Sequence, residues 1–145
     1  MSNNDHCELC AQPGGEVLFQ NAKLRVVLVD DRAYPGFCRV IWNAHVKEMT
    51  DLAPAERSEL MMTVCKIESA AREVMQPEKI NLASLGNVVP HLHWHIIPRF
   101  NDDPQFPAPI WAEPKRVTHP SVLEARQTML PQLRAAIVLQ LNGQS

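Results

Sequence analysis

Three histidines alternate with apolar residues in one short stretch, and this alternation constrains the fold more than any other part of the sequence. The stretch reads His91-Leu92-His93-Trp94-His95-Ile96-Ile97, and a proline lies at each end, at positions 90 and 98. Because side chains alternate between the two faces of a strand, a strand here would place all three imidazoles on one face. A shift of one residue would bury the histidines and expose the tryptophan, so the pattern fixes the register.

This histidine row (His91, His93 and His95) permits three interpretations. In the first, the rings decorate an exposed sheet face; burying three such rings without partners would be costly. In the second, the row contributes to a metal centre. The outer Cα atoms of such a strand lie ~13 Å apart, so one ion would take one or two rings plus outside ligands. In the third, the row performs covalent catalysis on phosphorus.

Covalent catalysis suits the chemistry of imidazole, and we expect this third interpretation to hold. With a pKa near ~6.5, much of an imidazole is neutral and nucleophilic at neutral pH. Its attack on a phosphate ester gives a phosphoramidate, whose protonated nitrogen is a good leaving group, so one difficult displacement becomes two easier ones. Neighbouring rings would protonate the departing group and stabilise charge on the phosphoryl oxygens.

The rest of the chain predicts an α+β fold: an antiparallel sheet of about five strands, one long central helix and a C-terminal helix. Apolar and β-branched runs predict strands over residues 17–20, 24–30, 37–42, 79–85 and 90–98. The long helix is predicted over 54–75, with buried positions at Leu60, Val64, Ile67, Ala71 and Val74. The C-terminal helix is expected to open with a capping box at Ser121–Glu124 and to kink or split at Pro131.

Composition limits the function classes. A chain of 145 residues is expected to form one domain over 1–145, with an N-terminal segment over 1–15 and a proline-rich segment and C-terminal helix over 101–145. The formal charge of −2 carries no electrostatic signature of nucleic-acid or membrane partners. Residues 1–8 are polar and unlike a secretory signal, and no apolar run approaches the ~20 residues of a membrane helix. We therefore expect a cytoplasmic protein.

The cysteines leave two interpretations open. Four cysteines without a secretory signal do not indicate a disulfide framework, but Cys7 and Cys10 form a Cys-x-x-Cys pair. A redox pair would need a preceding strand and a following helix, whereas a turn-forming Pro13-Gly14-Gly15 follows here. The pair is either two reduced thiols near the terminus or half of a structural zinc site, which would need two more ligands from elsewhere in the chain.

The histidine row, with the apolar residues between its members and the Pro98-Arg99 that follows, resembles the signature of the histidine triad (HIT) family. This signature is His-φ-His-φ-His-φ-φ, where φ is apolar. The resemblance extends upstream to Tyr34-Pro35-Gly36 and to the strand that precedes His45, and it covers roughly residues 16–111. It implies a HIT-like domain, usually a homodimer, that hydrolyses or transfers at the α-phosphorus of a nucleotide.

The resemblance also implies roles for individual residues. His93 would be the nucleophile that forms a nucleotidyl-histidine, His95 would contact the phosphate and assist the leaving group, and His91 would orient the site. Contacts to a purine nucleotide such as AMP are implied at Asn87, Asn81 and Asp30. The implied substrate is a nucleoside phosphoramidate, a mononucleotide derivative or a dinucleoside polyphosphate, and catalysis would require no cofactor.

Some bacterial members of the family hold a structural zinc, and the corresponding residues here are Cys7, Cys10, His45 and His91. Two sulfurs and two nitrogens suit tetrahedral Zn²⁺. A zinc at this position would make His91 a metal ligand and less available for catalysis.

The sequence departs from the family pattern at several places, which affects the expected nucleotide contacts. Phe37 and Trp42 stand where the family often has His and Pro, and Asn87 replaces a more frequent Gln. In the proline-rich segment we expect Phe106 and Trp111 to pack in the core rather than against a base or a partner subunit. Arg99 is expected to support the end of the sheet.

Two other functions are compatible with the same residues. A metal-dependent hydrolase could use the histidine row, and a nucleotide-binding regulatory protein could bind AMP with little turnover. Activity that depends on a metal ion would indicate the metal-dependent hydrolase. AMP binding without turnover of any substrate would indicate the regulatory protein.

Overall fold

The computed structural model describes residues 6–142, which form ten regular elements in the order α1 Glu8–Ala11, β1 Glu16–Gln20, β2 Leu24–Leu28, β3 Cys38–Trp42, a 3₁₀ helix Met49–Asp51, α2 Pro54–Met75, β4 Lys79–Ala83, β5 His93–Arg99, α3 Pro120–Gln127 and α4 Leu130–Asn142. The first five residues of the polar N-terminus and residues 143–145 lie outside this range. No helix of the described part is long and apolar enough to cross a bilayer.

The strands form one antiparallel sheet in the order β1-β2-β3-β5-β4. The predicted α+β class is confirmed. Strand β5 pairs with both β3 and β4, so it lies inside the sheet. Its ladder with β3 places Arg39 opposite His95 and Ile41 opposite His93. Paired residues share a face, so these four side chains lie on the same side of the sheet.

The main core lies between the other face of the sheet and helices α2 and α4. Leu92, Trp94 and Ile96 pack into this core, as the alternation predicts. Helix α2 has the predicted bounds, and four of the five predicted positions are buried while Val74 is partly buried. The side-chain period of α2 therefore determines which helix face covers the sheet.

The predicted strand over 90–98 begins three residues late, at His93. Pro90 has no N–H to donate, and the N–H of Leu92 bonds the carbonyl of Val46 in the loop after β3, at 2.8 Å. His91 therefore precedes the strand. The predicted strands over 24–30, 37–42 and 79–85 are likewise shorter than expected, at Leu24–Leu28, Cys38–Trp42 and Lys79–Ala83.

The predicted break in the C-terminal helix is confirmed, but the expected capping box is wrong. The chain leaves α3 at Thr128, and Pro131 lies in the first turn of α4, where its missing N–H costs little. Helix α3 begins two residues earlier than the capping box predicts, because His119 and not Ser121 is its N-cap: Nδ1 of His119 accepts the N–H of Ser121 at 3.1 Å.

A buried arginine holds the N-terminal segment against the sheet. Arg25 on β2 donates from Nη2 to the carbonyl of Leu9 at 2.7 Å, from Nε to that of Pro13 at 2.9 Å, and from Nη1 to Oδ1 of Asn43 at 2.9 Å. Leu9 also packs in a small cluster with Ile41 on the histidine face of the sheet. These contacts place the Cys-x-x-Cys pair next to the histidine row.

A second buried arginine anchors the proline-rich segment. Arg99 is 1% exposed and donates to the carboxylate of Asp103 from Nε at 2.7 Å and from Nη2 at 3.0 Å. It also donates to Oδ1 of Asn81 and to the carbonyl of Ala108, both at 2.7 Å. Arg99 thus supports the end of the sheet, as expected.

Candidate active site and metal group

The histidine face of the sheet carries an open cavity of about 430 Å³. The size lies in the range of small-molecule sites. His93, His95 and Arg39 form its floor, and the other lining residues come from the N-terminal helix, the loop before β5 and the proline-rich segment: Glu8, Leu85, Gly86, Asn87, Val88, Val89 and Trp111. The cavity therefore combines imidazoles, one guanidinium and apolar walls.

The ring of His93 has a defined orientation. Its Nδ1 lies 2.5 Å from the carbonyl oxygen of His91. A carbonyl can only accept, so Nδ1 carries the proton and Nε2 carries the lone pair. The imidazole is thereby held as the tautomer that can attack an electrophile through Nε2.

The ring of His95 packs between His93, Phe37 and Trp111, with ring centroids 4.9, 5.5 and 5.2 Å away. Its Nδ1 is buried and has no hydrogen-bond partner among residues 6–142. A buried N–H without an acceptor is costly, so the proton is better placed on Nε2. His95 can then donate from Nε2 to an anionic group.

Both catalytic candidates are neutral at pH 7. Burial lowers the pKa of His93, and the positive charge of Arg39 adds to this effect. The hydrogen bond to the carbonyl of His91 acts in the opposite direction, but the pKa is lowered overall. Burial, His93 and Arg39 together lower the pKa of His95 to about 3. One ring is therefore available as a nucleophile and the other as a neutral hydrogen-bond donor.

His91 does not line this cavity, although the alternation predicts that all three imidazoles lie on one face of the sheet. It is fully buried and lies in a group with Cys7, Cys10 and His45, whose ligand atoms all lie within 4.8 Å of one another. The reason is that His91 precedes β5, beside the N-terminal segment. His91 still affects the cavity, because its carbonyl orients His93.

The geometry of this Cys/His group fits a tetrahedral zinc ion. Nδ1 of His91 lies 3.3 Å from Sγ of Cys7 and 3.5 Å from Sγ of Cys10, and Nδ1 of His45 lies 3.4 Å from Sγ of Cys10. Zn–S and Zn–N bonds of ~2.3 and ~2.1 Å at tetrahedral angles predict S–N separations of about 3.6 Å. The group could therefore hold a metal.

An outer contact supports the same conclusion. Nε2 of His91 lies 2.5 Å from the carbonyl of Trp42, so Nε2 is the donor and Nδ1 is left unprotonated toward the sulfurs. Metal-binding histidines commonly donate their second nitrogen in this way.

The three implied nucleotide contacts are not brought together. Asn87 is exposed and lines the cavity. The side-chain oxygen of Asn81 accepts from Arg99, and Asn81 is not among the lining residues. Asp30 lies beside a different cavity, with Gln127 and Arg134. The structure thus places one of the three at the candidate site.

Two of the cavity residues that the sequence did not assign to the site lie next to His95. Trp111 is 52% exposed and contacts His95, so the expected core packing of Trp111 is wrong. The sequence predicts no role for Arg39, although a charged residue inside an otherwise apolar strand is a signal that could indicate one. Phe106 is partly buried, with the Arg99 guanidinium 5.6 Å from its ring centroid.

The fold and the site define an α+β protein in which a central antiparallel strand presents histidines to a cavity. Residues 12–102 match the family model of the HIT domain. The chain belongs to the HIT family.

Solved structures agree with this assignment. A histidine triad protein from Bradyrhizobium japonicum is 26% identical with a TM-score of 0.71, and the match covers 94% of this chain and 97% of that one. A zinc-bound histidine triad family protein from Mycobacterium smegmatis shares the fold, with 22% identity, a TM-score of 0.65 and coverage of 95% and 97%.

Sequence relatives have described activities. An asymmetrical bis(5'-nucleosyl)-tetraphosphatase from Schizosaccharomyces pombe is 32% identical over 97 residues, which are 63% of this chain and 53% of that protein. An AP-4-A phosphorylase from Mycobacterium tuberculosis is 31% identical over 78 residues, 50% of this chain and 40% of that protein. The chain thus spans about half the length of these relatives.

Proposed function

We propose that this protein is a nucleotide hydrolase or nucleotidyl transferase that acts at the α-phosphorus through a covalent nucleotidyl-histidine on His93. The substrate would be a nucleoside phosphoramidate, a mononucleotide derivative or a dinucleoside polyphosphate. The observation that carries the proposal is the hydrogen bond from Nδ1 of His93 to the carbonyl of His91. It leaves Nε2 of a neutral imidazole as a nucleophile in a cavity shared with a second histidine.

In the first step, Nε2 of His93 attacks phosphorus and a P–N bond forms. The bond from phosphorus to the leaving group breaks, and its electron pair departs with that group; an amine also takes up a proton from the solvent as it departs. Nε2 of His95 donates a hydrogen bond to a phosphoryl oxygen and stabilises the charge that gathers there. In the second step, water attacks phosphorus and gives up a proton to the solvent. The P–N bond breaks, its electron pair returns to Nε2 of His93, and the nucleoside monophosphate leaves. A transferase would use another acceptor in place of water.

The substitution His93→Ala tests this function. We expect turnover of both adenosine 5'-phosphoramidate and diadenosine tetraphosphate to fall by a factor on the order of 1,000 or more, because no other ring has a bare nitrogen held in this position. The measurement is AMP release by chromatography. A base quench of the wild type should trap an AMP adduct on His93, since phosphoramidates are lost in acid.

The matched control is His119→Asn, which removes an exposed imidazole far along the chain and keeps a side chain that caps helices well. This variant should retain wild-type turnover. A folded His93→Ala protein that still turned over either substrate would contradict the mechanism. Tight AMP binding by a wild type that turns over no substrate would favour a regulatory protein instead.

We also propose that Cys7, Cys10, His45 and His91 hold a zinc ion. The support is the donor set and its spacing, together with the contact from His91 to the Trp42 carbonyl. Four protein ligands complete a tetrahedral site, whereas catalytic zinc sites keep one position open. The zinc would hold the N-terminal segment on the sheet and fix the backbone of His91, and catalysis would need no further cofactor.

The remaining expectations belong to the same proposal. We propose that a purine nucleotide such as AMP binds with its base against the apolar part of the cavity, where Val88, Val89 and Trp111 lie. Apolar and aromatic side chains can stack on the face of any planar base, whatever its identity. We further propose a cytoplasmic homodimer, in keeping with the family resemblance.

A further inference from the structure

The candidate site contains a cation that the proposed mechanism does not use. Arg39 lies on β3 directly opposite His95, on the same face of the sheet, and it lines the same cavity as His93. Residues paired across an antiparallel ladder have Cβ atoms about 5 Å apart. The guanidinium is therefore within reach of a group bound at the two histidines.

This guanidinium has few partners within the described part of the chain. Its Nη1 donates to the carbonyl of Gly14 at 3.1 Å, and its Cζ lies 5.5 Å from the centroid of the Phe37 ring. Its Nε is buried without an acceptor, and no carboxylate among residues 6–142 lies within ion-pair distance of it. The charges of Glu8 and Asp31 favour its protonated form only at longer range.

Such a group has a free-energy cost in the ligand-free protein. A buried donor without an acceptor loses its hydration and gains nothing in return. The two buried arginines of the sheet differ from the half-buried Arg39 in this respect: Arg25 and Arg99 each donate at least three hydrogen bonds. Arg39 is thus the arginine of the sheet that best suits an anionic ligand, and its planar donors match the oxygens of a phosphate.

We propose that Arg39 is a specificity-determining residue that binds a phosphate of the leaving group, so that the substrates are nucleotides with a phosphate chain beyond the α-phosphorus. This inference rests on the proposed attack of His93 on the α-phosphorus. It selects one class, the polyphosphates, from the substrates compatible with that attack.

The chemistry of the leaving group supports this class. When the bond from the α-phosphorus to a bridging oxygen breaks, the electron pair stays on the oxygen and the group departs as a phosphate anion. The second pKa of a phosphate monoester is near ~6, so this anion needs no proton at pH 7. An amine must take up a proton as it departs. His95, whose pKa is lowered to about 3, is a poor source of that proton.

The charge of Arg39 complements this departure, because negative charge grows on the leaving phosphate as the bond breaks. A cation fixed in a partly buried site stabilises such charge more than one in open solvent. Water then cleaves the P–N bond and releases the nucleoside monophosphate, as in the proposed mechanism. The step needs no further reactant.

Binding of AMP, ADP and ATP to the wild type, Arg39→Met and Arg39→Lys tests the inference by calorimetry at one ionic strength. A hydrogen-bonded charge contact predicts that ATP binds the wild type on the order of 10- to 100-fold more tightly than AMP. Met keeps the length of the side chain and should reduce this preference to less than about threefold, while Lys should keep part of it. Arg72→Met, which removes an exposed cation from α2, should leave the preference unchanged.

Turnover gives the second measurement. Arg39→Met should lower kcat/KM for diadenosine tetraphosphate on the order of 10- to 100-fold and change that for adenosine 5'-phosphoramidate less than about threefold. Equal losses on both substrates, or no preference of the wild type for ATP over AMP, would overturn the inference while leaving the proposed function intact. A wild type that prefers ATP through Arg39 but turns over neither substrate would refute the proposed function alone.

Discussion

At the scale of single residues, His95 shows how its surroundings determine the chemistry of a ring. Phe37 and Trp111 pack beside it, its Nδ1 is buried, and Arg39 lies opposite on the next strand. The consequence is a pKa lowered to about 3 by burial and by the neighbouring His93 and Arg39. A histidine with this pKa acts as a neutral donor at physiological pH.

The depressed pKa of His95 predicts a pH dependence of stability. Below pH ~6.5 the unfolded chain binds a proton at His95 that the folded chain does not bind. The contribution of His95 to the free energy of unfolding is therefore complete above that pH and is lost as the pH falls toward 3. Replacing it with Gln removes the titration. Between pH 7.5 and 5.0 we expect the wild type to lose about 1–2 kcal/mol more stability than His95→Gln, measured by urea unfolding.

The comparison is internally controlled because both proteins keep the same Cys/His group and the same other histidines. The loss of stability in acid that those residues cause is therefore the same in both proteins and cancels when the two losses are subtracted. Equal losses of stability in the two proteins would show that His95 titrates normally in the fold.

The sequence predicts the histidines that lie in the cavity better than it predicts the other residues that line it. His93 and His95 were found because alternation on one strand is a local pattern. Asn81 and Asp30 were placed by family resemblance, but here Asn81 bonds Arg99 and Asp30 lies beside another cavity. Which polar side chain faces a cavity depends on partners distant in sequence, which a local pattern does not contain.

At the scale of elements, the proline-rich segment is held by one buried ion pair. Asp103 is 1% exposed and accepts from Arg99 and from the N–H groups of Phe100 and Phe106. Burial alone would raise the pKa of Asp103, but these hydrogen bonds and the charge of Arg99 lower it overall. The segment that carries Trp111 therefore begins from a rigid point.

We expect Asp103→Asn to lower the free energy of unfolding at pH 7 by about 3–5 kcal/mol, because the buried guanidinium of Arg99 then faces a neutral amide. The stabilisation from a carboxylate with a lowered pKa is present above pH ~4 and is lost as the pH falls through the folded pKa. The difference between wild type and variant should therefore narrow below pH ~4. Urea unfolding at pH 7 and pH 3 measures both effects.

The neighbouring carboxylate provides the control for this prediction. Asp102 bonds Arg126 at 2.9 Å, but its side chain is 47% exposed. Exposed pairs contribute roughly 0–1 kcal/mol, so Asp102→Asn should change stability by no more than that. Similar losses in the two variants would mean that burial of the Arg99–Asp103 pair has no special importance.

Element boundaries followed from sequence where local signals agreed. Helix α2 has its predicted bounds because Pro54 suits the first turn, the apolar spacing is regular and Pro77 follows its end. The start of β5 was predicted too early because alternation continues through His91 while the ladder does not. The cap of α3 was missed because His119 is not among the residues that usually cap helices.

At the scale of the whole molecule, the proposed zinc joins parts of the chain that are far apart in sequence. Cys7 and His91 are 84 residues apart, and their ligand atoms are 3.3 Å from each other. No local pattern predicts this approach; family resemblance did. A metal at this position would connect the N-terminal segment, the loop after β3 and the entry to β5.

Purified protein should contain one zinc per chain, and removal of the metal with a chelator should lower the midpoint of thermal unfolding. Binding to the folded state alone adds stability, and each kcal/mol shifts the midpoint by roughly 2–4 °C at this chain length. Cys10→Ser should lose the zinc and show the same shift without chelator. Cys65→Ser, which removes an exposed thiol of α2, should change neither property.

Activity of the metal-free protein separates a structural zinc from a catalytic one. His93 and His95 do not belong to the Cys/His group. At a temperature where the metal-free protein stays folded, we therefore expect its turnover to lie within about tenfold of that of the zinc-bound protein. Complete loss of turnover in a still-folded protein, with recovery on adding zinc, would favour a metal-dependent hydrolase.

The anchoring of the proline-rich segment has a consequence for redesign. Two hydrogen bonds join the two ends of this loop. The N–H of Lys115 donates to the carbonyl of Pro104 at 2.7 Å, and Nη1 of Arg116 donates to the carbonyl of Asp103 at 2.7 Å. The tip of the loop between these hydrogen bonds includes Trp111, which lines the cavity. An exchange of this tip that keeps the hydrogen bond from Arg99 to the carbonyl of Ala108 should leave the scaffold intact and alter only the fit of the incoming molecule.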